Sequence, residues 1–426
     1  MNHPHGHLRI DGDRLMRRLA ELATIGPIDG GGSSRLALTD EDREGRDLVT
    51  TWMRDLGLDV RIDGIGNVVA TRPGRIDGPA VMTGSHIDTV RSGGRYDGNL
   101  GVLAGLEVIE TLIDAGVETE HPTAVAFFTD EEGARYPPDM LGSLVYVGGL
   151  GLEEALDIEG IDGSVVGDEL DRIGYRGSHP CPGPAPRAFV ELHIEQGPVL
   201  EAGGHTIGAV TGVQGISWTE FTITGQANHA GTTPMDLRHD AGWAAAAIAA
   251  HVRDIATRMG GRQVATVGRL DLQPNLVNVV AGTAALTVDL RNTDEALLTE
   301  AEADLAAFVD GIAEAEGIQI EARGLARFEP VAFNGSVVDT VAGTAESLGH
   351  AVSRMPSGAG HDAQMMARVC PTGMVFVPSR DGISHNPAEY TDPADLVAGV
   401  NVLLHILLAL DNDAFEEGAP EEGETI

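Results

Sequence analysis

The sequence predicts an α/β domain with a central mixed sheet, interrupted by a smaller inserted α+β domain. Three observations carry this. Short apolar runs at 80–82, 123–129, 188–194 and 374–377 read as buried strands and alternate with helical patterns. Each run leads into polar residues able to do chemistry. From about 206 to 327 the order changes to β-α-β-β-α-β, the split βαβ signature, and near residue 328 the first pattern returns. The expected boundaries are 1–213 with 328–426 for the larger domain and 214–327 for the insert.

Taken in order, residues 11–24 carry Leu15, Leu19 and Leu22 at helical spacing. Thr39 is a suitable N-cap for a helix running to Leu56. Leu58–Ile62 and Asn67–Ala70 alternate as strands do. Ala80-Val81-Met82 ends a strand, followed by His86, Asp88, Gly93-Gly94 and Asp97. Gly98-Asn99 then opens a helix with Leu100, Leu103, Leu106, Ile109 and Ile113 at its spacing. The run 123–129 leads to Asp130-Glu131-Glu132, and 188–194 contains His193 and leads to Glu195-Gln196. Residues 181–187, CPGPAPR, are a stiff loop. In the insert, strands at 217–224, 264–270, 285–290 and 318–322 alternate with helices at 241–259 and 294–316. Met374–Val377 leads to His385. Val400–Leu410 reads as a packed helix too short to span a bilayer, and the acidic tail after Asp413 is expected to fray.

Composition excludes several classes. The 426 residues are 42% hydrophobic but only 4% aromatic, so aliphatic side chains must fill the core. Acids outnumber bases 65 to 28, for a net charge of -37. That charge argues against nucleic acid or an anionic membrane as partner. There is no lysine, hence no Walker A loop and no Schiff-base lysine. No GxSxG elbow occurs, and the GxGxxA at Gly358–Ala363 lacks a clear apolar strand before it. Cys181 and Cys370 make no disulfide framework and suit a reducing cytoplasm. The first 13 residues contain no apolar signal segment.

The residues left at strand ends are His86, Asp97, Glu131, Glu132, His193 and His385. Each alone has an ordinary explanation, a hydrogen-bonded histidine or a solvated acidic turn. Together at the ends of strands in one sheet, where ligands collect, they suit a two-metal hydrolytic centre. Imidazole and carboxylate ligands suit zinc, manganese or cobalt. One carboxylate can bridge two ions and another can stay off them as general base. Neighbouring Glu131 and Glu132 suit that division, and the Asp88 carboxylate is placed to accept the other N–H of His86. In Leu286–Arg291 apolar and polar residues alternate, which puts Arg291 on a polar face, to clamp a substrate carboxylate or to pair with Asp289.

The segments GSHIDTV, GGRYDGNLGVLAGLE, DEEGARY, ELHIEQGPVLE, NHAGTTPM, PNLVNVV, SGAGHDA and GISHNP are similar to motifs of the M20 metallopeptidase superfamily. They resemble in particular its amidohydrolase branch of N-carbamoyl-L-amino-acid hydrolases, β-ureidopropionases and allantoate amidohydrolases. The resemblance implies a binuclear zinc or manganese centre, with His86 and His193 on one ion, Glu132 and His385 on the other, and Asp97 bridging. It implies that Glu131 activates the water and that His229 stabilises the oxyanion. Gln196, Asn278 and Arg291 would contact a small ureido-acid substrate. It also implies an inserted domain that dimerises, making a homodimer. The stretch GVQGISWTEFTITG favours carbamoyl amino acids over allantoate. An M20 dipeptidase or deacylase is disfavoured by His193, where peptidases tend to carry an acid. A catalytically silent metal-dependent binding protein is disfavoured by an intact Glu131. His361 receives no role, and His239 departs from the arginine common in relatives.

Overall fold

The computed structural model describes residues 5–412. The acidic segment from Asp413 onward lies outside them. Described residues up to Thr211, together with those from Phe333, form one compact unit; Gly212–Ala332 form a second.

The strands in chain order are β1 (Asp59–Ile62), β2 (Val68–Arg72), β3 (Val81–His86), β4 (Thr123–Phe128), β5 (Ala188–Ile194) and β6 (Ile207–Val213). Then come β7 (Gly215–Thr224), β8 (Asn228–His229), β9 (Val264–Gln273), β10 (Val279–Val280), β11 (Thr283–Asn292) and β12 (Gln319–Phe328). The last three are β13 (Val331–Ala332), β14 (Val352–Ser357) and β15 (Thr372–Val377). The larger sheet runs β1-β2-β4-β3-β5-β15-β6, with β13 and β14 also on β6. β4, β3, β5 and β15 are mutually parallel, and their flanking neighbours are antiparallel. The sheet is therefore mixed. Every residue of the four parallel strands is buried, which is why they read as continuous apolar runs rather than alternating ones. Their carboxyl ends lie at one edge of the sheet, so the polar residues that follow them are brought together.

Two readings of this unit need correction. β3 continues past Met82 to His86; Thr83 and Ser85 are tolerated because their hydroxyls bond to Val190 O and Glu191 Oε1. The C-terminal helix is Pro393–Asn412, with mean hydropathy 1.8, long and apolar enough to cross a membrane by length and composition. It is instead mostly buried, packing on helix Asn99–Asp114 and on β3, β5 and β15. The strand before the GxGxxA segment, β14, is only partly buried and not a clear apolar run, as read from sequence, and the following helix has five residues.

In the second unit β12-β7-β11-β9 form an antiparallel sheet. Its strands are interleaved with helices Ala241–Met259 and Glu295–Glu316 in the β-α-β-β-α-β order. Leu286, Val288 and Leu290 of β11 pack with Ile248, Val252, Leu298 and Leu305 of the helices. A two-stranded ribbon, β8 with β10, is an addition that its two-residue strands made illegible in sequence.

Candidate metal centre

β3 delivers His86 as its last residue, and β5 delivers His193 one residue from its end. Asp97 sits just before helix Asn99–Asp114, and Glu131 and Glu132 follow β4. His385 lies in the loop after β15. Gly98 links Asp97 to the helix at φ 65, and a Cβ there would overlap the His86 ring, so only glycine fits.

The six residues converge. Asp97 Oδ1 is 3.2 Å from His193 Nε2 and 3.6 Å from His86 Nε2. Its other oxygen, Oδ2, is 3.4 Å from His385 Nε2, and that nitrogen is 3.2 Å from Glu132 Oε2. Glu131 Oε2 lies 3.3 Å from His86 Nε2. These separations exceed the usual hydrogen-bond length of about 2.9–3.0 Å. They match the roughly 3.3–3.4 Å between two ligand atoms that each sit about 2.0–2.1 Å from one tetrahedral ion. His86 Nδ1 is 2.9 Å from Asp88 O, and His193 Nδ1 is 2.9 Å from Ile194 O. Those carbonyls can only accept, so each proton resides on Nδ1 and each Nε2 turns its lone pair into the cluster, that of His193 also facing the Gly98 N–H at 3.2 Å. His86, Asp97 and His193 form one group able to hold an ion, and Asp97, Glu132 and His385 another. The donor set thus fits two divalent cations sharing Asp97.

Charge in the cluster points the same way. Burial alone would raise the Asp97 carboxyl, yet three surrounding imidazoles hold it well below the usual carboxylate range. Asp97, then Glu132, push His385 up to about 10. Burial pushes the Glu131 carboxyl well above its ordinary value, and does the same to Asp130 and Asp362. A buried excess of acids held by shared protons is a site where cations can take the protons' place. Backbone strain gathers here too: Asp130, Gln196 and His385 have φ of 55, 58 and 51, a conformation that clusters at functional sites.

The expected role of the Asp88 carboxylate is corrected. It is the main-chain carbonyl of Asp88 that faces His86; the carboxylate instead accepts the N–H groups of Glu131 and Glu132, at 3.3 and 3.4 Å. β3 ends at His86, so Asp88 lies beyond the strand; its carboxylate is taken by the N–H groups after β4 and its carbonyl faces the ring. Gln196 Nε2 donates to Asp97 Oδ2 at 2.9 Å. Sequence reasoning missed Glu191, which shares a face with His193 by strand alternation and accepts from Ser85 Oγ and the Ala363 N–H. It also missed Glu389, buried beneath the Asp97 loop; as one acid in a polar loop it carried no local signal. His361 is buried, its Nε2 2.9 Å from Ser357 Oγ and its ring 4.6 Å from that of His193.

The remaining candidates belong to the second unit. His229 on β8 stands opposite Val279 on β10, with Asn278 one residue before. His229 Nδ1 accepts the N–H groups of Gly231 and Thr232, at 3.1 and 3.2 Å. The ring proton is therefore on Nε2, which points away as a donor. Arg291 takes the salt bridge weighed from sequence: its Nε is 3.0 Å from both Asp289 oxygens and its Nη2 2.9 Å from Oδ2. Its guanidinium also lies over Trp218, 5.8 Å from the ring centre. His239 Nδ1 is 2.8 Å from Glu316 O, 77 residues on, at the end of helix Glu295–Glu316.

A mixed α/β sheet that gathers imidazoles and carboxylates around one shared aspartate defines a class, the hydrolases built to carry divalent metal. The chain belongs to peptidase family M20/M25/M40, whose model matches residues 82–409. It is 43% identical to an N-carbamoyl-L-amino-acid amidohydrolase of Rhizobium meliloti, over 95% of this chain and 98% of that one. It is 37% identical to an allantoate amidohydrolase of Escherichia coli, over 91% and 95%. A crystal structure of an amidase of the hydantoinase/carbamoylase family from Burkholderia multivorans superposes with TM-score 0.93 at 46% identity, covering 96% and 100% of the two chains.

Proposed function

We propose that this protein removes the carbamoyl group from N-carbamoyl-L-amino acids, giving the amino acid, carbon dioxide and ammonia. The observation that carries the two-ion reading is the division of Asp97, Oδ1 toward His86 and His193, Oδ2 toward His385. The substrate reading is supported by the identity to the carbamoyl-amino-acid enzyme along nearly the whole of both chains. The chain works as a homodimer of the cytoplasm in this reading. β9 ends its sheet and is largely exposed, an edge that a second copy can cover, and both cysteines are free thiols.

Two divalent ions, zinc, manganese or cobalt, would acidify a water and polarise the ureido carbonyl. His86, His193 and Asp97 would hold one, and Asp97, Glu132 and His385 the other. Glu131 takes the proton of the attacking water and passes it to the leaving nitrogen. His229 donates from Nε2 to the oxyanion as it forms. Arg291 forks onto the substrate carboxylate, held in orientation by Asp289, while Gln196 and Asn278 supply amide contacts.

Prolonged chelation abolishes ammonia release from N-carbamoyl amino acids, and zinc, manganese or cobalt restores it. Active protein free of transition metal by elemental analysis would sink the two-ion reading, and faster turnover of allantoate would replace the substrate. Arg291→Lys keeps the charge and loses the fork. K_M for carbamoyl amino acids then rises about tenfold or more, the order expected for a charged hydrogen bond. For the corresponding amides, which lack a carboxylate, it stays put. Equal effects on both would make Arg291 a structural partner of Asp289 alone.

A further inference from the structure

Glu389 is 5% exposed and lies between two loops that are far apart in sequence. Its Oε1 accepts the main-chain N–H groups of Tyr96 and Asp97, at 3.0 and 3.2 Å. Its Oε2 is 3.1 Å from Ser384 Oγ, and the same hydroxyl is 3.0 Å from Asp97 Oδ2. The loop carrying Glu389 is itself closed, with Arg380 N–H donating to Tyr390 O at 2.8 Å. The Arg380 guanidinium lies 3.8 Å from the centre of the Tyr390 ring. On the other loop, a Cβ on Gly94 would overlap the Glu389 carboxylate, so the glycine makes room for it.

From this we infer that Glu389 and Ser384 are positioning residues that hold the Oδ2 half of the bridging carboxylate in register with His385. The inference rests on the two-ion reading. Carboxylate oxygens offer two lone pairs each. Ser384 has one proton, and when it donates to Asp97 it occupies one lone pair of Oδ2; the other, which accepts Gln196 Nε2 here, is the one that the ion shared with Glu132 and His385 would take in place of the amide. Glu389 acts on the same loop twice, fixing the backbone at Tyr96–Asp97 and holding Ser384 Oγ where it reaches both carboxylates. His385 directly follows Ser384, so the clamp also sets where its imidazole starts. Neither residue touches the water or the substrate in this account; both act through Asp97.

The test is metal affinity. Apoprotein is titrated with Zn²⁺ against a chromophoric chelator, with His385→Ala identifying which of two binding constants belongs to the Oδ2 half. Ser384→Ala and Glu389→Ala each weaken that constant by about 10–100-fold, the usual size for a residue supporting a ligand, and leave the other near its wild-type value. Glu389→Gln restores it to within a few-fold, because the amide oxygen still accepts the two N–H groups. Its NH₂ can donate to Ser384, which turns the hydroxyl proton toward Asp97. If Glu389→Ala does not fold, Ser384→Ala carries the test, since it deletes only one hydroxyl. Wild-type protein binding two ions with Ser384→Ala unchanged, or both constants falling together, overturns the inference while leaving the two-ion reading intact. Wild-type protein that binds fewer than two ions overturns both.

Discussion

Glu131→Gln lowers k_cat at least about a hundredfold, the low end for loss of a general base, and leaves two ions bound per chain. The substitution keeps the side chain's shape and removes its ability to take a proton. Glu131 is 7% exposed, and its Oε2 lies 3.3 Å from His86 Nε2, at the edge of the cluster and outside the three groups able to hold an ion among the described residues. Its main-chain N–H is anchored on the Asp88 carboxylate, so the variant has no reason to move. The measurement is k_cat on a carbamoyl amino acid together with elemental analysis of the same preparation. Unchanged k_cat means that Glu131 is not the base. Loss of an ion along with activity means that it is a ligand, which its closeness to His86 makes a real alternative to separate from the base role.

Mixing two inactive variants, His229→Ala and Glu131→Gln, regains up to about a quarter of wild-type activity if His229 serves the site of the partner subunit. Random pairing in a two-fold dimer makes half the dimers mixed. In each mixed dimer one site combines both defects and the other has neither. His229 is suited to the role in its own unit: its Nδ1 is committed to two backbone N–H groups, which leaves Nε2–H as a fixed, neutral donor. The experiment requires proof of subunit exchange, for example by differently tagged variants. Dimeric, exchanging protein that recovers nothing places every His229 with the metal ligands of its own chain and rules out the trans arrangement.

Much of the fold was legible because it depends on local pattern. The buried parallel strands announce themselves as apolar runs, and Leu286, Val288 and Leu290 announce a half-buried one by alternation. Helix Gly335–Ser347 was not legible. Its buried residues are Val337, Val338, Val341, Ala342 and Ala345; the three valines are β-branched with weak helix preference, and together they make no long apolar stripe. Asn334 starts it by accepting the N–H groups of Ser336 and Val337.

By itself the sequence determined which chemical groups stand at the carboxyl ends of the strands. That follows from where each apolar run stops, and a run's end is a property of neighbouring residues. Only the tertiary structure decided how those groups divide the work. That Oδ1 of Asp97 faces two histidines and Oδ2 a third depends on two strand ends and two loops meeting. The bond of His86 to a carbonyl rather than to the Asp88 carboxylate depends on the direction of one side chain. Arg291 rests on Asp289 because alternate residues of one strand share a face, a contact the sequence allowed without choosing it over a substrate. Glu389 reaches the Tyr96 N–H from 293 residues away. Such pairings are set by packing, which brings together polar groups that must be satisfied once buried, and no local pattern records them.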